Sequence, residues 1–127
     1  MKGGTPLGRV LGHGSARGGA QHWWVQRVTA VALIPLIAWF VWSLLRLPGF
    51  DHGSVTAWIG GPWHAVLLLL LFVTACWHSR LGVQVVIEDY VHTPATKIAT
   101  LLVADFSHVL IAVAGAFAIL KIAFAAP

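Results

Sequence analysis

The segment TACWHSRLGVQVVIEDYVH places a histidine, His78, and an aspartate, Asp89, within and at the end of a strongly apolar stretch. Polar side chains in such surroundings are costly, so each one asks for a function or a partner. His78 and Asp89 are eleven residues apart, about three helical turns and roughly 16 Å along a helix axis. Eleven steps return a side chain to nearly the same face, which Leu71, Thr74, Ala75, Gly82 and Val85 share. The result is a strip of small and medium residues with an imidazole deep within it and a carboxylate at one edge. Two chemistries fit. In the first, small residues let helices approach and His78 makes an interhelical hydrogen bond. In the second, the strip is a cofactor slot: His78 is an axial ligand to a haem iron, and Gly82, one turn away, leaves room for the flat macrocycle. Burial in lipid helps keep an imidazole neutral, the form that ligates iron. The residues alone leave both readings open.

The elements that must position this strip follow from composition. The chain has 127 residues, 58% of them hydrophobic and only 9% charged, with mean hydropathy +0.83. Soluble domains carry about a quarter charged residues, so the class is membrane rather than globular. The net charge of +4 is explained by Lys and Arg flanking apolar spans, and no basic stripe on a soluble surface points to nucleic acid. A single cysteine, Cys76, excludes a disulfide framework, a Cys-ligated iron–sulfur cluster and a Cys-rich zinc site. The Gly-rich, basic first 20 residues lack the apolar core of a cleavable signal, so the first hydrophobic segment is expected to remain as a span.

The fold expected is an all-α membrane protein of three transmembrane helices. Residues 1–21 read as an irregular N-terminal tail. Its segment GRVLGHGSARGG has the glycines of a weak phosphate loop but no strand before it. Residues 22–127 read as the membrane anchor, with spans at about 25–47, 63–90 and 96–124. Trp23, Trp24 and Arg27 mark one end of the first span, Trp42 and Arg46 the other. Pro35 lies in its middle and predicts a kink. LPGFDHGSVTAWIGGP reads as a loop, and Pro94 stands near the first turn of the last helix. Lys2, Arg9, Arg17, Arg27 and Lys97 fall on the tail side, against Arg46 and Lys121 on the other. The N-terminus is therefore expected in the cytoplasm and the C-terminus on the opposite side.

Arg80, Asp105 and His108 pose a separate problem. Counting from the tight connection between the second and third spans puts Arg80 roughly 15 Å deep, Asp105 roughly 14 Å and His108 roughly 18 Å. Arg80 is two steps from His78 and so nearly opposite to it on the helix. The expectation is an Arg80–Asp105 ion pair across the two helices, with His78 facing away from the third span toward a companion subunit. A haem held by His78 and His108 within one chain is the rival arrangement. His64 and His92 read as interfacial, and His13 and His52 as surface residues.

The pattern of His78, Gly82 and the pair Asp89–Tyr90, continued through LGVQVVIEDYVH, resembles the second span of the D-type hydrophobic anchor subunit of succinate dehydrogenase, respiratory Complex II. The segment GSARGGAQHWW followed by Arg27 is similar to the family's entry into the membrane. The resemblance implies that His78 is one axial ligand of a b-type haem, the other coming from a C-type companion anchor. It implies Asp89 and Tyr90 at a quinone site, with ubiquinone or menaquinone as substrate, and Arg27 and His22 near the haem propionates. An iron–sulfur subunit and a flavoprotein subunit would complete the assembly; this chain has neither the cysteines nor a dinucleotide fold for those groups. It would be a non-catalytic subunit in contact with membrane lipid, in a bacterial cytoplasmic membrane rather than a mitochondrial inner membrane. Without the resemblance, Tyr90 is equally an interfacial anchor, Asp89 a solvated helix end and Arg27 a topology signal. The alternatives are a b-type cytochrome subunit of another respiratory complex, or a haem-free structural or transport subunit.

Overall fold

A computed structural model of the chain describes residues 16–125. It consists of four helices: α1 (Ala16–Leu45), α2 (His52–Gly60), α3 (Pro62–Tyr90) and α4 (Pro94–Ala125). Three are long and apolar enough to cross a membrane, over Gly19–Leu45, Pro62–Tyr90 and Pro94–Ala125. The chain is thus an all-helical, multi-pass membrane protein. In hydrocarbon every backbone N–H and C=O must be paired within its own segment, which is why these apolar runs are helical from end to end. α1 continues through Pro35.

Two features depart from the sequence reading. α1 begins at Ala16, inside the stretch up to residue 21 read as irregular, because the helix extends beyond the apolar run into its polar approach. The weak phosphate-loop segment lies mostly outside the described residues. The loop after the first span contains a helix, α2. Asp51 caps it, its carboxylate accepting from the backbone N–H of Ser54 at 3.0 Å and from the Ser54 hydroxyl. This satisfies donors that the first turn would otherwise leave open. The same hydrogen bonds, that of the Ser54 hydroxyl foremost, hold the Asp51 carboxyl below its ordinary value.

α3 is the middle helix. It packs against α4 on one flank and α1 on the other, and the backbones of α1 and α4 do not approach each other. The buried apolar side chains among the described residues are Leu36, Ala65, Leu68, Leu81 and Ile87, and four of these five belong to α3. Close approach of α3 and α4 depends on Gly115, where a Cβ would collide with the Phe72 ring. α2 packs on α3 and α4. Its Trp58 ring stacks at 6.3 Å on Trp39 of α1 and lies 5.6 Å from His64 of α3. His64, read as interfacial, belongs to an aromatic cluster beside a groove of about 730 Å³ bordered by Trp42 and Arg46. At the other end of α3, the Lys97 ammonium donates to the Glu88 carbonyl at 2.9 Å and closes a free carbonyl of the last turn.

Candidate functional site

The flank of α3 that meets α1 carries His78. Its Nδ1 lies 2.9 Å from the Thr29 hydroxyl oxygen. That oxygen is also 3.0 Å from the carbonyl oxygens of Val25 and Gln26, one turn back along α1. A hydroxyl has one hydrogen, and carbonyls only accept. The Thr29 hydrogen can serve the two carbonyls, as helical Thr commonly arranges. In that arrangement the third contact is an N–H donated by His78 Nδ1, which corresponds to the Nδ1–H tautomer with a lone pair on Nε2. The ring turns away from α4, as the sequence indicates, but the neighbour that holds it is α1.

One turn on, Gly82 is not required by packing among the described residues. A Cβ there would meet only Gln26 Nε2, at 3.9 Å. His22, on α1, has a buried Nε2 with no hydrogen-bond partner among the described residues. It borders a groove of about 230 Å³ together with Val25, Trp77 and Leu81. Trp77 also borders a second groove, of about 330 Å³, that reaches Arg80, Asp105 and His108. Arg27 is exposed, its guanidinium 5.5 Å from the centre of the Trp23 ring. Asp89 and Tyr90 form the last two residues of α3 and are exposed, away from the His78 contact. His78 and Gly82 are thus brought against α1 with His22 in the adjoining groove, whereas Asp89 and Tyr90 make a separate polar edge.

Arg80 and Asp105 pair as the helix count predicts. Arg80 Nε donates to Asp105 Oδ1 at 2.7 Å and Nη2 to Oδ2 at 2.9 Å, a bidentate fork. The Arg80 guanidinium also lies 5.5 Å from the centre of the Trp77 ring. His108 donates through Nδ1 to the Ala104 carbonyl at 2.7 Å, and its Nε2 accepts from the Ser79 hydroxyl at 3.2 Å. Both ring nitrogens are engaged, so His108 does not offer a second ligand opposite His78. No cluster of three or more His, Cys, Asp or Glu among the described residues could hold a bare metal ion. A haem iron asks less, since the porphyrin supplies four ligands and one protein residue on each side completes the set.

Sequence reasoning overlooked Thr29. The signal was available: it is a hydroxyl one turn inside the first span, where a polar group needs a reason. Its partner, 49 residues away in sequence, became visible only once α1 lay against α3.

Comparison with known proteins bears on the whole chain. The profile of the family described as succinate dehydrogenase/fumarate reductase transmembrane subunit matches residues 1–120. A succinate dehydrogenase hydrophobic membrane anchor subunit from Paracoccus denitrificans is 32% identical over 110 residues, covering 87% of this chain and 85% of that protein. The protein of the same description from Rickettsia bellii is 36% identical over 78 residues, and the match spans 61% of this chain and 62% of that one, under two thirds of its length. A succinate dehydrogenase membrane anchor subunit from Reclinomonas americana is 30% identical over 88 residues, 67% of this chain and 73% of that one. No solved structure matches the chain. A profile match along nearly the full length, on three apolar helices of the spacing described, establishes that the chain belongs to the succinate dehydrogenase/fumarate reductase transmembrane subunit family, as a membrane anchor of succinate dehydrogenase.

Proposed function

We propose that this anchor supplies one axial ligand, His78, to a b-type haem shared with a C-type companion, and forms part of a quinone-reduction site with Asp89 and Tyr90. The observation that carries the reading is the Thr29–His78 hydrogen bond: with Nδ1 as its donor, the Nε2 lone pair would be available to iron. The absence of a Cβ at Gly82 and the buried Nε2 of His22, without a partner among the described residues, fit the same group. When bound, a b-type haem supplies one-electron redox chemistry. His78 would hold it on this chain's side. His22 would donate to a propionate, and Arg27, turning from Trp23, would pair with the same carboxylates.

At the end of α3 the Tyr90 hydroxyl would donate to a carbonyl of ubiquinone or menaquinone, and the Asp89 carboxylate would pass protons from water. Electrons would arrive from succinate through flavoprotein and iron–sulfur subunits docked at that face. The excess of Lys and Arg there supports a cytoplasmic position for that face, and the assembly would lie in a bacterial cytoplasmic membrane.

A reduced-minus-oxidised absorption spectrum of the purified complex, wild type beside His78→Ala, tests the ligand. The haem signal should be lost or shifted in the variant; an unchanged signal rules His78 out. Tyr90→Phe should raise the KM for quinone and leave that spectrum intact. Wild-type quinone kinetics in Tyr90→Phe would remove Tyr90 from the site.

A further inference from the structure

We infer that Thr29 is a positioning residue for the haem ligand: its hydroxyl fixes the tautomer and ring orientation of His78 and tunes the affinity of that imidazole for oxidised iron. The inference rests on the reading of His78 as an axial ligand. Its own foundation is the hydrogen count at one oxygen. Thr29 Oγ1 sits within 3.0 Å of two carbonyls and 2.9 Å from His78 Nδ1. With its single hydrogen committed to Val25 and Gln26, the oxygen can only accept from the ring. Donation to the carbonyls also polarises the hydroxyl and strengthens it as an acceptor.

Three consequences follow for the imidazole. The N–H is pinned to Nδ1, so the tautomer with the proton on Nε2, which cannot ligate through Nε2, is disfavoured. The ring plane is tied to α1 as well as to its own helix. Electron density drawn onto the ring by the N–H···O bond makes Nε2 a stronger donor, which favours the ferric over the ferrous state. Outer-shell partners of metal-bound histidines are worth about 10–100-fold in metal affinity. A tenfold loss of preference for the ferric form corresponds to a rise of about 59 mV in a one-electron midpoint potential. Thr29 therefore adjusts the redox set-point from a helix that holds no iron ligand.

The test uses the assembled complex carrying Thr29→Val, Thr29→Ala, Thr29→Ser or His78→Ala. Haem content, the reduced-minus-oxidised spectrum and the haem midpoint potential are measured for each. Val keeps the volume of Thr and loses the hydroxyl, Ala loses both, and Ser keeps the hydroxyl. The expected result is a similar upward shift of potential, tenfold in the ferric preference, in Val and Ala, with Ser near wild type. A packing role would instead leave Val near wild type and displace Ala and Ser; that pattern overturns the inference. Unchanged potentials in Val and Ala, with haem lost in His78→Ala, overturn the role of Thr29 and keep His78 as ligand. A wild-type spectrum in His78→Ala overturns both. Should Val or Ala fail to assemble, the other still reads the hydroxyl against Ser.

Discussion

Replacing Asp105 with Leu leaves the Arg80 guanidinium charged in the middle of a span, since arginine does not lose its proton in proteins. The native pair is a bidentate fork with contacts of 2.7 and 2.9 Å. Two bounds frame its contribution. Ion pairs in water give about 0.2–1 kcal/mol, whereas breaking a fully buried pair costs about 3–5 kcal/mol. The side chains here are 28% and 40% exposed within the isolated chain, so neither limit applies directly. At this depth the surroundings are lipid or protein, and an unpaired charge at a helix centre costs about 2.5–3.5 kcal/mol on insertion scales. The Trp77 ring beside the guanidinium offsets part of that. A loss of about 2 kcal/mol follows for Asp105→Leu, roughly a 30-fold shift in the folded-to-unfolded ratio. Arg80→Leu should cost about as much by stranding the carboxylate. The double variant removes both charges and should recover most of the loss, as replacement of buried pairs by apolar side chains does elsewhere. Denaturation of the complex in mixed micelles, followed by helix content and retention of this subunit, closes the double-mutant cycle. Additive losses, with coupling under about 0.5 kcal/mol, would refute the claim that the pair neutralises itself across α3 and α4.

Two further predictions concern packing and the short helix. Gly115→Val should separate α3 from α4 and lower stability by about 1–3 kcal/mol, measured in the same micelle assay, and Phe72→Leu should restore part of it by vacating the contested space. The Asp51 carboxyl is held below its ordinary 3.8, so its capping contribution is complete above that value and lost as pH falls through the lowered one. Amide exchange at Ser54 and Val55 should therefore stay slow at neutral and mildly acidic pH and accelerate only in strong acid. Asp51→Ala should be fast throughout, and equal acid sensitivity in that variant would exclude Asp51 as the cause.

Hydropathy made the three spans legible, because a bilayer leaves little freedom in length or composition. The Arg80–Asp105 pair was legible for a related reason: two antiparallel helices joined by a tight connection fix depth, and opposite charges at equal depth must find each other. α2 was not, because Gly, Pro and Asp over a short stretch favour a turn and a capped helical turn alike, and the Ser54 hydrogen bonds that decide the matter are local geometry. Thr29 was hidden differently. Its own residue type marked it as needing a partner, yet which of several polar groups that partner would be depends on how α1 is rotated against α3. No periodicity in either helix sets that angle. Asp89 and Tyr90 could be placed at a helix end from spacing, and there the structure puts them.

The order of the helices has a mechanical meaning. α3 lies between α1 and α4 and packs on both, with α2 bridging the flanks only at one end, so at the level of His78 the two flanks are joined through α3. Two contacts grip that shaft within a single turn, His78 to Thr29 on one side and Arg80 to Asp105 on the other. A shaft clamped from opposite sides at one level cannot spin without breaking a clamp. The ion pair is therefore a rotational stop as well as a charge balance, and the direction in which His78 points is set partly by a carboxylate on a helix it never meets.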